Sequence, residues 1–395
     1  MKTVAVLGGG PAGSMAAERL ATAGLNTILF DEKLAWEKPC GGGVTYKAYN
    51  EYPFLIDNST PKKLVHQTVL GAPKTNDATM DLSHPLVIYS RMDLNGMLLE
   101  RAGQAGAAIE KTRVMEIERR EKGWRLRTKH GIAEADYCVV ATGARNPLKQ
   151  VGTEWQAADT MTALGYFVPE ARERIDIQFL PKLQGYIWVF PRCGHLSVGI
   201  GGKFEPAQSL RKRLDTYMDE RGISRKGATY FGHMLPSLEA AGWKRNRVAG
   251  DGWMAVGDAA GLVDPITGEG IYYAIRSGDL ASQVIIQDAH GFAEKAAAYR
   301  SVIAREFVHD LEFASALAKR VFLGNFAFRT VPQRMIQFIN KSARFRDLMQ
   351  DLFAGTQPYL DLKDRLLRNL NGTLQEPFMN FFLNRVIPNH SRVQL

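Results

Sequence analysis

The first residues in the chain that could do chemistry are three glycines. Gly8-x-Gly10-x-x-Gly13 follows an apolar β-type run, Thr3 to Leu7, and opens a helical stretch from Ser14 to Ala23. Gly24 ends that helix, and Thr27 to Phe30 is a second strand closing on Asp31, eighteen residues after Gly13. In this setting the first glycine permits a tight turn. The second lets backbone approach a pyrophosphate resting on the helix N-terminus, and the third brings helix close to strand. Asp31 can accept hydrogen bonds from a ribose diol. A glycine triplet alone would also suit a plain glycine-rich turn. Strand, helix and Asp31 together favour a dinucleotide site.

A second constellation lies far along the chain. Trp253 to Val256 is a short apolar strand running into Gly257-Asp258-Ala259-Ala260, continued by Asp264-Pro265-Ile266-Thr267-Gly268-Glu269-Gly270-Ile271. A carboxylate at Asp258 can bind a polyol chain. The helix start after Gly270 offers N–H groups to an electron-rich ring edge. Alone, Asp258 would read as a helix cap; beside the N-terminal fingerprint, the cofactor reading is stronger.

Two further segments carry side chains suited to a flat ring or an apolar ligand. In Pro39-Cys40-Gly41-Gly42-Gly43, three successive glycines let backbone approach a ring without side-chain clash. In Tyr186-Ile187-Trp188-Val189-Phe190-Pro191, alternate aromatics fall on one face of a strand and could wall a long apolar cavity. Ordinary sheet core explains that periodicity equally well. Cys40 alone would read as a small buried hydrophobe.

With these residues in view, the chain resembles the geranylgeranyl reductase family of FAD-dependent oxidoreductases. These share the glutathione-reductase-type FAD fold with flavin-dependent hydroxylases and halogenases. The resemblance covers most of residues 1–300 and rests on Gly8, Gly10, Gly13, Asp31, Arg91, Gly257 and Asp258, with the cysteine–triple-glycine loop and the Tyr-x-Trp-x-Phe-Pro segment. It implies bound FAD, with Asp31 on the adenosine ribose, Arg91 towards the pyrophosphate, Asp258 on the ribityl chain and backbone near Val114 facing the adenine. Pro11, Ala12, Glu32, Cys40, Gly41, Gly42, Ala141, Gly143, Gly268, Gly270 and Ile271 complete the implied cofactor set. Cys40, Tyr186 and Trp188 are the implied catalytic candidates.

Two departures bear on chemistry. The family usually places a proline three residues before the tyrosine of its aromatic segment; here position 183 is Leu, and Pro181 lies five before. The substrate cavity is therefore expected to differ in shape. Aromatic hydroxylases of this fold carry Asp-Gly after the strand matching Tyr137–Val140, where this chain has Ala141-Thr142-Gly143-Ala144-Arg145. The aspartate linked there to pyridine-nucleotide use is missing, which leaves the donor open between NAD(P)H and a ferredoxin-like protein.

The elements that must position these residues give an α/β fold: a Rossmann-type FAD-binding domain with an interleaved, mostly antiparallel sheet substrate domain and a C-terminal helical region. The expected FAD-binding domain is discontinuous, over 1–50, 85–155 and 248–300. The substrate sheet takes 51–84 and 156–247, and residues 301–395 form the helical region, with breaks at Pro332, Pro358 and Pro377. Helical spacing is expected over Arg91 to Ala105 and from Gly270 to about Arg300, with only helical signals beyond 300. Strands are expected near Ala108–Met115, Trp124–Thr128, Ile175–Phe179, Tyr186–Phe190 and Leu196–Ile200.

Composition fits this plan. The chain has 395 residues, 45% hydrophobic and 23% charged, which excludes intrinsic disorder, collagen and coiled coil. No apolar run approaches the roughly 18 residues of a membrane span. The start, Met1-Lys2 and an apolar stretch, imitates a secretory signal, but the fingerprint within it makes it part of the mature fold. Cys40, Cys138 and Cys193 form no CxxC pair, so no disulfide framework or zinc site is expected, and a reducing compartment is. Fifty Lys or Arg against 41 Asp or Glu give a net charge of +9, and most of the excess lies after residue 300. There Phe322, Phe326, Phe328, Phe338 and Phe345 alternate with Arg320, Arg329, Arg334, Lys341 and Arg344. A packed helical bundle with a basic outer face is the first reading, and peripheral contact with an anionic membrane the second. No recognition motif supports nucleic acid.

The function expected from these residues is reduction of C=C bonds in a polyprenyl lipid, quinone or pigment precursor by a cytoplasmic enzyme, with peripheral membrane contact as the second reading of its C-terminal region. The enzymatic alternative is a flavin monooxygenase or halogenase, whose Trp-x-Trp-x-Ile-Pro segment differs at Tyr186 and Phe190. The non-enzymatic one is a flavin-bearing assembly or membrane-binding protein.

Overall fold

The computed structural model describes residues 2–287, 291–326, 328–362 and 365. Two sheets organise the α/β chain. The first has six strands in the order Ala249–Gly250, Trp253–Ala255, Tyr137–Val140, Thr3–Leu7, Asn26–Phe30 and Ala108–Glu110. All pairs are parallel except Ala249–Gly250 with Trp253–Ala255. A parallel sheet is covered on its faces, so its strands read as near-continuous apolar runs: Val4 to Leu7 and Tyr137 to Val140 are buried throughout.

The helices Pro11–Thr22 and Ile271–Ile286 pack against each other beside this sheet. Two glycines set the spacing. A Cβ on Gly13 would fall 1.8 Å from Gly8 O, and one on Gly278 would fall 2.3 Å from Ala12 O. The third fingerprint glycine thus seats the helix on its strand.

The second sheet has eight strands, ordered Thr229–Pro236, Thr160–Val168, Leu196–Lys203, Gln184–Pro191, Ile175–Phe179, Lys62–Gly71, Ala78–Tyr89 and Gly43–Val44. Only Ile175–Phe179 with Lys62–Gly71 is parallel. This sheet runs on to Tyr89, past the expected boundary at 84, and also takes Gly43–Val44. A separate three-stranded sheet spans Val114–Arg119, Trp124–Thr128 and Gly131–Ala135. The strand expected over Ala108–Met115 is therefore split between two sheets.

Other expectations are corrected. Residues 160–245 include the helix Ala207–Glu220, which buries Leu210, Leu214, Tyr217 and Met218. That spacing is one helical stripe, interleaved with charges that mimic strand alternation. The helical stretch from Gly270 divides into Ile271–Ile286 and Phe292–Ile303. Beyond residue 300, Asn325–Phe326 and Arg329–Thr330 pair as a short hairpin. Pro332 starts a helix, Val331–Lys341, whose first turn needs no amide from it. Thr330 caps that helix: Gln333 N donates to its hydroxyl at 3.4 Å. Pro377, and the expected helical region beyond 365, lie outside the described residues. Among the described residues, no helix is long and apolar enough to cross a membrane.

Candidate functional site: a flavin cradle opening into an apolar cavity

The site begins where the central parallel strands end. Gly8 N donates to Phe30 O at 2.9 Å, Ala141 N to Leu7 O at 3.0 Å and Val256 N to Val140 O at 3.0 Å. Gly8, Asp31, Ala141 and Gly257 therefore stand together at the carboxyl edge of the sheet, the usual ligand crevice of an open α/β fold. A cavity of about 540 Å³ starts there. Its wall includes Gly8, Gly10, Pro11, Ala12, Asp31, Arg91, Ala141 and Gly143, then Gly257, Asp258, Gly268, Gly270 and Ile271. Cys40, Gly41, Gly42, Tyr186 and Trp188 line it as well.

Three expected cofactor residues stand off that wall. Gly13 lies behind the turn, against Gly8 O. Glu32 is 3.4 Å from the Arg113 guanidinium. Val114 is buried at the start of the three-stranded sheet.

The residues present fit FAD. A Cβ on Gly10 would meet no protein atom within 4 Å, so the space beside the turn is free for a ligand. The Arg91 side chain is buried, donates from Nη2 to Asn95 Oδ1 at 3.3 Å, and leaves Nε without a partner. A buried guanidinium with a spare donor beside a helix N-terminus suits a pyrophosphate. Asp31 accepts from Gly9 N at 2.7 Å through Oδ2 and from Lys33 N at 2.7 Å through Oδ1. Its carboxylate is thus fixed in place, with acceptor capacity remaining for a diol.

The cysteine–glycine loop is held by a group that sequence reading passed over. Arg192 is 1% exposed. It donates to Glu37 Oε1 and to Cys40 O, and from Nε to Gly41 O at 3.4 Å. Ser197 Oγ also donates to Cys40 O, at 2.8 Å, and receives Trp188 Nε1 at 3.2 Å. Glu37 in turn accepts Arg91 N at 3.0 Å, at the start of the helix Arg91–Gln104. Burial alone would raise the Glu37 pKa, but the Arg192 charge and the Arg91 amide hold it below its ordinary value. Gly42 completes the loop at φ +85, where a Cβ would fall 2.0 Å from Tyr89 O. Cys40 itself is half-buried, and all three cysteines are free.

At the far side of the cradle Lys38 Nζ meets Asp258 Oδ2 at 3.1 Å. Burial opposes the charge on Asp258, yet Lys38, with His233 and Arg91, keeps its pKa below the ordinary value. His233 faces the same cavity, with Nε2 buried and unpartnered. Burial, then the Lys38 charge, depress its pKa to about 4, so it is neutral near pH 7.

The Tyr186 hydroxyl donates to Thr267 O and so braces the 264–270 turn. Asp264 anchors that turn by accepting Ile266 N at 2.8 Å, Thr267 N at 3.0 Å and the Tyr359 hydroxyl at 2.9 Å. Glu269, next along, lines the cavity and accepts Tyr272 N at 2.7 Å. Burial first, and Asp264 nearby, push its pKa up to about 7. In sequence Glu269 reads as a helix-capping glutamate, which it also is; only its place on the cavity wall marks it further.

Beyond Tyr186, Trp188 and Phe190 the lining is apolar. Leu70, Ile177 and Phe179 come from the sheet; Phe322, Phe345 and Met349 come from the C-terminal helices His309–Leu323 and Ala343–Ala354. The aromatic triplet is therefore a cavity wall, and the C-terminal helical region roofs it.

The chain is similar to known proteins in sequence and in fold. Residues 2–167 match the family described as pyridine nucleotide-disulphide oxidoreductase. A chloroplastic geranylgeranyl diphosphate reductase from Nicotiana tabacum is 28% identical over 72% of this chain and 66% of its own length. A menaquinone reductase from Mycobacterium tuberculosis is 27% identical over 71% of this chain and 76% of its own. The crystal structure of a geranylgeranyl bacteriochlorophyll reductase-like protein from Thermoplasma acidophilum shares the fold, with a TM-score of 0.75 and 22% identity, over 92% of this chain and 100% of that one. Cradle and matches together identify the chain as an FAD-dependent oxidoreductase, similar in sequence to the geranylgeranyl reductases.

Proposed function

We propose that this enzyme reduces carbon–carbon double bonds of a polyprenyl chain carried by a lipid, quinone or pigment precursor. The observation that carries this reading is the continuity of the cavity, which leads from the Gly8–Gly13 turn past Cys40 to a wall of Tyr186, Trp188, Phe190, Phe322 and Phe345. A flexible apolar chain fits such a lining, and two relatives are named as reductases of a geranylgeranyl compound and of a menaquinone.

When bound, reduced FAD supplies a hydride to one alkene carbon, and a proton must reach the other. An isolated alkene is a poor hydride acceptor, so the proton must arrive early, in a place that excludes water. Tyr186 and Trp188 exclude water and shape the wall. Their polar atoms are engaged by Thr267 O and Ser197 Oγ, and burial raises the Tyr186 pKa, keeping the phenol protonated. Among the carboxyl groups on the wall, Asp258 is paired with Lys38 and Asp264 is saturated by its turn and Tyr359. Glu269 holds a proton at its carboxyl up to about pH 7 and is the acid best placed to give it up. Cys40 stands at the ring-approach loop as a further candidate for contact with the reacting bond.

The test is mass spectrometry of prenyl diphosphates, prenyl glycerolipids and prenyl quinones after anaerobic incubation with dithionite-reduced holoenzyme. A gain of two hydrogens per reduced bond in one of these classes supports the reading. No gain in any of them overturns it.

A further inference from the structure

The segment that roofs the cavity has a second face. Between Glu312 and Asp347 the chain contains no Asp or Glu, but seven Lys or Arg. Inward, this segment gives Leu317, Val321, Phe322, Met335 and Phe345 to the cavity. Outward, Lys319, Arg329, Lys341 and Arg344 are exposed. Between the helices His309–Leu323 and Val331–Lys341 stands the short hairpin of Asn325–Phe326 and Arg329–Thr330. Next to its second strand Phe328 is 109% exposed, the most exposed large apolar side chain among the described residues. Leu323, at the end of the preceding helix, is 37% exposed. Phe328 also holds φ at 65, a region that bulky residues rarely enter.

Scattered apolar residues on a surface need no explanation. This one differs because a fully presented aromatic sits within an acid-free cationic run. Phe at an interface buries its ring among acyl chains, while Lys and Arg meet anionic headgroups, each effect adding to the other. The charge complement of such a face is a negative surface with an apolar layer beneath it.

We infer that the exposed side chains of Lys319, Phe328, Arg329, Lys341 and Arg344 form a docking surface for an anionic lipid bilayer, with the Phe328 ring entering the headgroup–acyl boundary and the four cations lying over the phosphates. The contact is peripheral. It stands apart from the choice of substrate, because bilayer binding requires no turnover.

The experiment is co-sedimentation of the full-length FAD-loaded protein with vesicles of phosphatidylcholine, with and without phosphatidylglycerol. Binding to the phosphatidylglycerol vesicles alone, weakened by added salt, is expected. Phe328→Ser should lower the partition coefficient about tenfold, and Lys341→Gln about fivefold. Both variants should keep the wild-type thermal midpoint and FAD stoichiometry, since both side chains are exposed. Equal binding to neutral vesicles, no binding to either, or a Phe328→Ser variant that binds like wild type would overturn the proposal. So would release of protein from phosphatidylglycerol vesicles by an equimolar amount of duplex DNA, which would make the face a nucleic-acid surface.

Discussion

Lys38 Nζ lies 3.1 Å from Asp258 Oδ2 and ties the loop before Cys40 to the corner after the strand Trp253–Ala255. The two residues are 220 positions apart, so the pair closes the cradle from two distant parts of the chain. Asp258 keeps a depressed pKa although burial opposes it, with Lys38 the leading favourable partner. The ionised form therefore contributes stability above the ordinary carboxylate range, and that contribution is lost as pH falls through the depressed value. Lys38→Met should cost about 2 kcal/mol at neutral pH, less than a fully buried pair because both groups keep some water contact. It should also move acid unfolding to higher pH. Urea titrations at neutral and acid pH measure both effects. An unchanged acid transition would show that Lys38 does not hold Asp258 ionised.

Arg192 offers a sharper test of the same loop. Its guanidinium serves Glu37, Cys40 O and Gly41 O from a fully buried position. Arg192→Met should cost about 3–5 kcal/mol, since Glu37 loses its buried counter-charge and Gly41 O its side-chain donor, while Cys40 O keeps only Ser197 Oγ. Arg192→Lys keeps the charge but not the fork and should recover only part of this. Denaturant unfolding checks the ranking; a methionine variant as stable as wild type would remove Arg192 from this role.

The nucleotide turn was readable before the fold because its constraints are local. Gly8, Gly13 and Asp31 sit within one strand–helix–strand unit, and their spacing carries the geometry. The aromatic triplet was readable as one face of a strand, but not as a cavity wall. That depended on Phe322 and Phe345, brought over the sheet by helices far along the chain. Arg192 follows directly on the triplet and Pro191, yet nothing local distinguishes a buried bracket from a surface arginine. Lys38, His233 and Glu269 escaped for the same reason: their partners or their burial come from distant segments. The helix Ala207–Glu220 was hidden by its charges, which broke its apolar stripe into apparent strand alternation.

Gly10 and Gly13 separate cofactor binding from folding. A Cβ at Gly13 meets Gly8 O at 1.8 Å, whereas one at Gly10 meets nothing within 4 Å. Gly13→Ala should therefore disturb the strand–helix packing and lower soluble yield. Gly10→Ala should leave apoprotein stability within about 0.5 kcal/mol of wild type and weaken FAD binding about tenfold or more. Titration by flavin fluorescence quenching, paired with urea unfolding of the apoprotein, reads both. Equal FAD affinity in Gly10→Ala and wild type would place the pyrophosphate elsewhere.

Glu269 makes the last prediction, and its sign follows from burial. Its carboxyl is pushed from 4.5 up to about 7, chiefly by burial, with Asp264 adding repulsion and the Tyr272 and Ile271 amides and Arg91 opposing it. The folded state therefore binds the proton more tightly than the unfolded chain does. The resulting stability is complete below about pH 4.5, shrinks as pH rises, and is gone above about pH 7. Glu269→Gln, which cannot ionise, should gain on wild type by about 2 kcal/mol across that window once solvent access is discounted. Unfolding of the two apoproteins against pH measures this without any turnover. In single-turnover reduction by pre-reduced holoenzyme, the wild-type rate should fall as pH rises through about 7, because the acid must carry a proton to give one. The glutamine variant should be slower by about 10²–10⁴-fold and lack that limb. If the stability difference tracks pH as described but the rate does not, Glu269 is a half-buried acid that takes no part in proton delivery.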